Sequence, residues 1–208
     1  PNRRLIVGLS LLATLLVAVS LALLLERLDN TIKTSHEVES RLGVPTLGVL
    51  NITRVKSGMQ LERIFLEDPQ TSFSEAIRTI RSGVMLSSID SPKKIVVVTS
   101  SVPEEGKTTV AANLAFALGQ VKKTLLIDAD MRRPKIGRVL GGADSNLFGL
   151  SQLVTGEVPL ERCIYPVGGG SQLWVLPAGR VPPNPLELLA SHRFTEAMQR
   201  LSAAFDVI

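Results

Sequence analysis

The chain has 208 residues, with 23 Lys+Arg against 19 Asp+Glu for a formal net charge of +4, and it is 45% hydrophobic but only 4% aromatic. That length holds one domain plus an extra segment; the composition excludes a disordered or collagen-like chain, and the small charge excess points to no nucleic-acid partner. Cys163 is the sole cysteine, which excludes a disulfide framework or zinc module and reads as a buried, inert thiol in a reducing compartment. The sequence opens on Pro1 and closes on Phe205-Asp206-Val207-Ile208, the beginning of a buried strand. A fragment of a longer protein is therefore expected.

Residues 5–25 contain no charge, and their polar breaks are Ser10, Thr14 and Ser20. A helix of that length reaches roughly 30 Å, the thickness of a bilayer's hydrocarbon core. A buried core helix would show an amphipathic stripe, and a signal peptide a shorter apolar run with a small-residue cleavage site. Neither describes this segment, so a membrane-spanning helix within residues 1–26 is expected. Arg3 and Arg4 precede it while Arg27, Lys33 and Arg41 follow, and flanking charge leaves its orientation open. Residues 27–70 read as a juxtamembrane linker: a weakly helical stretch to Leu42, a stop at Gly43-Val44-Pro45, and over 51–70 little fixed structure. The globular domain is expected over 71–208.

Phe73, Ile77, Ile80 and Val84 recur at helical intervals and predict a helix over 72–88. Glu75, Arg78 and Arg81 lie along one face of it. By spacing alone these three read as an exposed face with a local ion pair.

Residues 94–100 (KIVVVTS) form a β-branched run typical of a strand buried on both faces of a parallel sheet. The loop Ser101-Val102-Pro103-Glu104-Glu105-Gly106-Lys107-Thr108-Thr109 follows, then a helix over 107–118 rich in Ala and Leu. In a strand–loop–helix of this kind the backbone N–H groups cradle phosphates, the lysine neutralises them, and the hydroxyl after it holds Mg²⁺. Lys107 and Thr108 supply those parts, with Ser101 where the first glycine usually stands. A second buried strand over 123–129 ends in Asp128 and Asp130, where α/β sheets bind ligands. Alternation turns the two carboxylates to opposite sides unless the strand ends between them, so at least one should face the phosphate crevice. Arg132, Arg133, Lys135 and Arg138 then come without an intervening acid. They read equally as a surface for an anionic ligand or acidic partner and as a solvated face.

The combination resembles the bacterial tyrosine kinases (BY-kinases) joined to polysaccharide co-polymerases. It consists of a membrane helix, a linker, the phosphate loop 101–109, the Asp128-x-Asp130-x-Arg132 run, Pro177-Ala178-Gly179, and Pro183-Asn184-Pro185-x-Glu187-Leu188-Leu189. In that resemblance the segment 28–32 (LDNTI) looks like the family's cytoplasmic exit. The resemblance implies ATP and Mg²⁺ as cofactors. It implies nucleotide binding by Ser101, Pro103, Glu105, Gly106, Lys107, Thr108 and Thr109, metal binding by Thr108 with Asp128 or Asp130, and help from Asp128 or Asp130 in deprotonating an acceptor tyrosine, with Lys107 on the phosphates. Glu75, Arg78 and Arg81 match the family's subunit-contact motif, which implies a homo-oligomer that phosphorylates itself in trans. Polysaccharide export and polymerisation proteins are the other implied partners, and a plasma-membrane location with a cytoplasmic kinase domain follows from cytosolic ATP.

By the same resemblance the Walker B aspartate and the tyrosine-rich tail fall outside the sequence, and Tyr165 is expected to be structural. Glu104 stands where many members have glycine. The chromosome-partitioning P-loop ATPases share the core but carry a signature lysine where this chain has Val102. A non-catalytic, nucleotide-binding export partner is the alternative reading. The expected fold is a three-layer α/β P-loop NTPase domain with a mostly parallel sheet, preceded by one transmembrane helix. Strands are expected near 94–100, 123–129, 173–177 and 206–208, and helices near 72–88, 107–118, 147–155, 185–190 and 193–203.

Overall fold

A computed structural model describes residues 2–28, 32, 34–51, 58–87, 94–140, 148–168 and 170–208. The chain divides into two units, Pro1–Thr46 and Leu47–Ile208. The expected exit motif at 28–32 and the first residue of the expected 147–155 helix fall largely or wholly outside the described residues.

In the first unit, α1 (Arg3–Leu28) is a 26-residue helix in which nothing is buried. It is long and apolar enough to cross a membrane, with a mean hydropathy of 2.6 in its most apolar stretch. Ser10 and Thr14 turn their hydroxyls back onto carbonyls of the same helix, Ser10 Oγ to Val7 O and Thr14 Oγ1 to Ser10 O, which removes the cost of unpaired donors on an apolar surface. The following α2 (Ser35–Leu42) starts at Thr34, whose side chain accepts from Glu37 N–H, and ends at Gly43 with φ 66°. Both are ordinary helix punctuation.

The second unit begins with a helical turn over Leu61–Arg63 that continues into α3 (Ile64–Glu67). Next come α4 (Ser72–Leu86), α5 (Lys107–Gly119), β1 (Thr124–Ile127), α6 (Ile136–Leu140) and α7 (Leu150–Thr155), followed by β2 (Tyr165–Val167), β3 (Leu173–Leu176), α8 (Pro185–Leu189) and α9 (His192–Ala204). β1 and β3 pair in parallel, β2 joins the outer edge of β3 antiparallel, and Val207 bridges Thr124 in parallel on the far side of β1. The sheet is thus mostly parallel.

Alternation along β3 explains the three layers. Leu173 and Val175 point into a cluster built on Phe65, Phe73, Ile77, Ala112, Ala115 and Phe116, whereas Trp174 and Leu176 face Leu150, Val154, Leu201 and Phe205. One face is therefore covered by α3, α4 and α5 and the other by α7 and α9, the arrangement that a sheet apolar on both sides requires.

Three expectations need correction. Residues 94–100 do not form a regular, doubly buried strand. Val96 N–H donates to Ile208 O and Ile208 N–H to Lys94 O, but Val97 is 81% exposed, because the ladder reaches only the first residues of the run and leaves the rest without a neighbouring strand among the described residues. Residues 51–70 are not a structureless linker. Ile64 and Phe65 are each 2% exposed, and the buried Asn113 of α5 accepts from Phe65 N–H at 2.8 Å while donating to Leu61 O at 2.9 Å and Thr109 O at 2.8 Å. That one amide satisfies the irregular backbone around α3 and bolts it to α5. Finally, the expected strands omit β2, in which Tyr165 lies and where Pro166 is tolerated because the strand is at an edge.

Candidate nucleotide site

The site lies where α5 begins and β1 ends. Gly106 caps α5 with φ 86°, a left-handed conformation natural to glycine. Lys107, Thr108 and Thr109 form the first turn. Their N–H groups have no acceptor among the described residues, and the first intrahelical bond is Val110 N–H to Gly106 O. Three unanswered donors and the positive end of a 13-residue helix therefore converge beside Lys107.

Upstream, the loop is clasped by its own side chain. The Glu105 carboxylate accepts from Ser101 N–H at 2.9 Å, from Ser101 Oγ at 3.0 Å and from Val102 N–H at 3.3 Å. Donation from Val102 and then from the Ser101 hydroxyl holds its pKa below the ordinary glutamate range. Glu104 is the one non-glycine residue at positive φ among the described residues, at 70°, a conformation that favours glycine over a residue with a Cβ. Pro103 is exposed on the same loop.

Across from it, β1 ends at Ile127, so both carboxylates belong to the turn that follows the strand. Their surroundings differ. Asp128 is 5% exposed and accepts from Asp130 N–H at 3.1 Å and from Lys135 and Ile136 N–H at 3.0 Å each. Burial raises its pKa despite those donors. Asp130 is about one-third exposed, takes Arg133 N–H on Oδ1, and sets Oδ2 3.5 Å from Lys107 Nζ. Of the two, Asp130 is the carboxylate that meets the loop lysine.

Glu75, Arg78 and Arg81 lie on α4. Arg78 contacts Glu75, donates to Pro69 O at 2.9 Å and stacks over the Phe65 ring at 5.4 Å. Arg81 donates to Ala117 O at 3.2 Å, near Gln120. Both arginines are thus answered within the chain, and Glu75, two-thirds exposed, is the open member of the row. Tyr165 Oη reaches the carbonyls of Arg162 and Phe148. Cys163 is fully buried, and burial raises its thiol pKa. Sequence reasoning missed Asn113, whose signal was a lone amide inside an otherwise apolar Ala/Leu helix. It also missed the Leu61, Ile64, Phe65 spacing, hidden among charges.

A loop that opens α5 on a left-handed glycine, a lysine facing a carboxylate at the end of the adjacent strand, and helices on both sides of a mostly parallel sheet define a P-loop NTPase domain. No family model matches the chain. The tyrosine-protein kinase YwqD of Bacillus subtilis (strain 168) is 38% identical over 153 residues, 73% of this chain and 63% of its own length. The tyrosine-protein kinase Wzc of Salmonella typhimurium is 34% identical over 161 residues, 77% of this chain and 22% of its own. The chain thus spans less than two thirds of these relatives. Among solved structures, the chimerical protein CapA2B2 superposes with a TM-score of 0.72 at 35% identity, covering 84% of this chain and 73% of that one. The kinase domain of Escherichia coli tyrosine kinase ETK does so with a TM-score of 0.75 at 26% identity, covering 85% and 71%. The chain belongs to the bacterial tyrosine kinase family.

Proposed function

We propose that this chain carries the nucleotide site of an ATP-dependent protein-tyrosine autokinase, anchored in the plasma membrane by α1 with its P-loop domain in the cytoplasm, and coupled to export and chain-length control of a capsular or exopolysaccharide. The observation that carries the proposal is the apposition of Lys107 and Asp130 beside the three open N–H groups of α5. That donor set suits an anionic polyphosphate, so the residues fit ATP.

Lys107 and the N–H groups of Lys107, Thr108 and Thr109 would hold the phosphates, and Glu105 keeps the loop shut from behind by tying Ser101 and Val102 together. Thr108 and Asp130 would hold Mg²⁺, which uses few protein oxygens because it keeps water and phosphate ligands. When bound, the metal ion supplies charge neutralisation at the transferring phosphoryl group. Asp130 is exposed enough to take the acceptor tyrosine's proton. Asp128, its oxygens already engaged by three backbone donors, acts as a positioning residue that fixes the turn bearing Asp130. Transfer of this kind depends mainly on position and electrostatics, so few groups suffice.

The test is phosphotyrosine formation by the full-length protein with ATP and Mg²⁺. It should appear in the parent and vanish in Lys107→Met. ATP binding without phosphotyrosine would instead favour a nucleotide-gated export partner. We further propose self-association through the α4 row, with Glu75 reaching a second copy. Combined Glu75→Ala, Arg78→Ala and Arg81→Ala should lower the sedimentation coefficient of the phosphatase-treated protein, and an unchanged value would discard that role.

A further inference from the structure

The turn after β1 carries charge for which the chemistry at Lys107 has no use. Arg132, Arg133, Lys135 and Arg138 are all exposed, and none has an ion-pair partner among the described residues. Arg41 pairs with Glu37 and Arg63 with Glu67, whereas these four cations pair with no acid among the described residues. The basic row is also held in place. Arg133 N–H is fixed by Asp130, Lys135 N–H by Asp128, Ile136 is 4% exposed in the core, and Gly137 packs so near Pro177 that a Cβ there would come within 3.0 Å of the proline's.

Like charges crowded on a fixed backbone repel one another in the free protein, and that repulsion is released when an anion settles among them. The row begins one carboxylate away from Lys107, since Asp130 touches Lys107 with one oxygen and Arg133 N–H with the other. A lysine, a metal ion and three N–H groups already answer a nucleotide's phosphates, and four further cations would overcompensate them. Arg133, Lys135 and Arg138 follow one another along a single exposed stretch of chain, which suits an anion with several charges.

We infer that Arg133, Lys135 and Arg138 form a docking surface for acidic residues flanking the acceptor tyrosine, so that this chain selects tyrosines in acidic peptides. The inference rests on the tyrosine-kinase reading above. Carboxylate side chains beside the tyrosine pair with the three cations and hold the phenol near Asp130.

The test titrates fluorescein-labelled peptides of equal length, Glu-Glu-Tyr repeats and Gln-Gln-Tyr repeats, into the full-length protein and follows anisotropy, which needs no turnover. The Glu peptide should bind more tightly by on the order of tenfold at low salt, with the preference shrinking as salt rises. Combined Arg133→Glu, Lys135→Glu and Arg138→Glu should abolish the preference and favour Lys-Lys-Tyr repeats, while Arg133→Lys with Arg138→Lys should retain it. A folded charge-reversed protein that still prefers the Glu peptide would overturn the inference. So would a variant that loses affinity for a fluorescent ATP analogue but not for the Glu peptide, because the cations would then serve the nucleotide. If charge reversal unfolds the protein, the wild-type comparison of Glu with Gln repeats decides alone. Phosphotyrosine on the same peptides separates the two readings. A Glu preference without phosphotyrosine removes the kinase and leaves the acidic-peptide surface, whereas equal binding and equal phosphorylation of Glu and Gln repeats keeps the kinase and removes the surface.

Discussion

Two turns beside Lys107 are closed by the same device, a carboxylate accepting backbone N–H groups, yet they differ in almost every consequence. In the phosphate loop Glu105 ties Ser101 and Val102 in full contact with solvent, and its pKa falls. In the turn after β1 Asp128 ties Asp130, Lys135 and Ile136 inside the protein, and its pKa rises. Both accept at least two backbone N–H bonds, so the number of donors does not set the sign; burial does. Water can replace any bond Glu105 loses, whereas little water reaches the donors around Asp128. The exposed clasp can therefore exchange its bonds for water at little cost, and the buried one holds the turn from which Asp130 projects.

The sharpest way to break this contrast is Asp128→Ala. Three N–H donors would lose their acceptor in a site only 5% exposed, with an expected loss of about 3 kcal/mol of unfolding free energy. Urea denaturation of the P-loop domain measures it, and a loss below about 1 kcal/mol would mean that water replaces the carboxylate and that the two clasps are alike. Asp128→Asn should fall in between, because the amide keeps one accepting oxygen but turns an NH₂ toward backbone donors.

A smaller effect of opposite sign is expected in the exposed loop. Glu104 has φ 70°, a conformation that costs a residue with a Cβ about 1–2 kcal/mol. Glu104→Gly should raise stability by about 0.5–1 kcal/mol once the greater freedom of glycine in the unfolded chain is subtracted. Thermal denaturation would register this as a higher midpoint. An unchanged or lower midpoint would show that the Glu104 side chain contributes contacts that offset its backbone strain.

The same contrast explains what was legible in the sequence. The helices α4, α5, α7, α8 and α9 were readable as local patterns, with Asn184-Pro185 opening α8, whereas the short α6 was not, and α4 is capped by Thr71. The strands β1 and β3 were readable as aliphatic runs. The phosphate loop was readable because Gly106, Lys107 and Thr108 sit between strand-like and helix-like sequence. The division of labour between Asp128 and Asp130 was not, since it depends on which carboxylate the turn through Ile136 folds over, a tertiary event seven and eight residues downstream. The 61–67 segment was misread for a similar reason: its backbone is satisfied by Asn113, about fifty residues away. The run at 94–100 differs again, because among the described residues its pairing with Ile208 covers only its first residues.

The finest test concerns the Glu105 clasp itself. Its folded pKa lies below the ordinary glutamate range, so the stabilisation it contributes is fully present above that range and is lost as pH falls through the lowered value. Glu105→Gln should remove that pH dependence and speed hydrogen exchange at the Ser101 and Val102 amides at neutral pH, while leaving the urea midpoint of the domain nearly unchanged. In the parent protein the same two amides should exchange faster, relative to the intrinsic rate, as the solution is acidified through the carboxylate's titration. Asp128 predicts the opposite trend for Lys135 and Ile136. Its folded pKa lies above the ordinary aspartate value, so the free energy it contributes falls as pH rises between the two. If both pairs of amides responded to acid in the same direction, burial would not be what distinguishes the two turns. The looseness assigned to the phosphate loop would then need another cause.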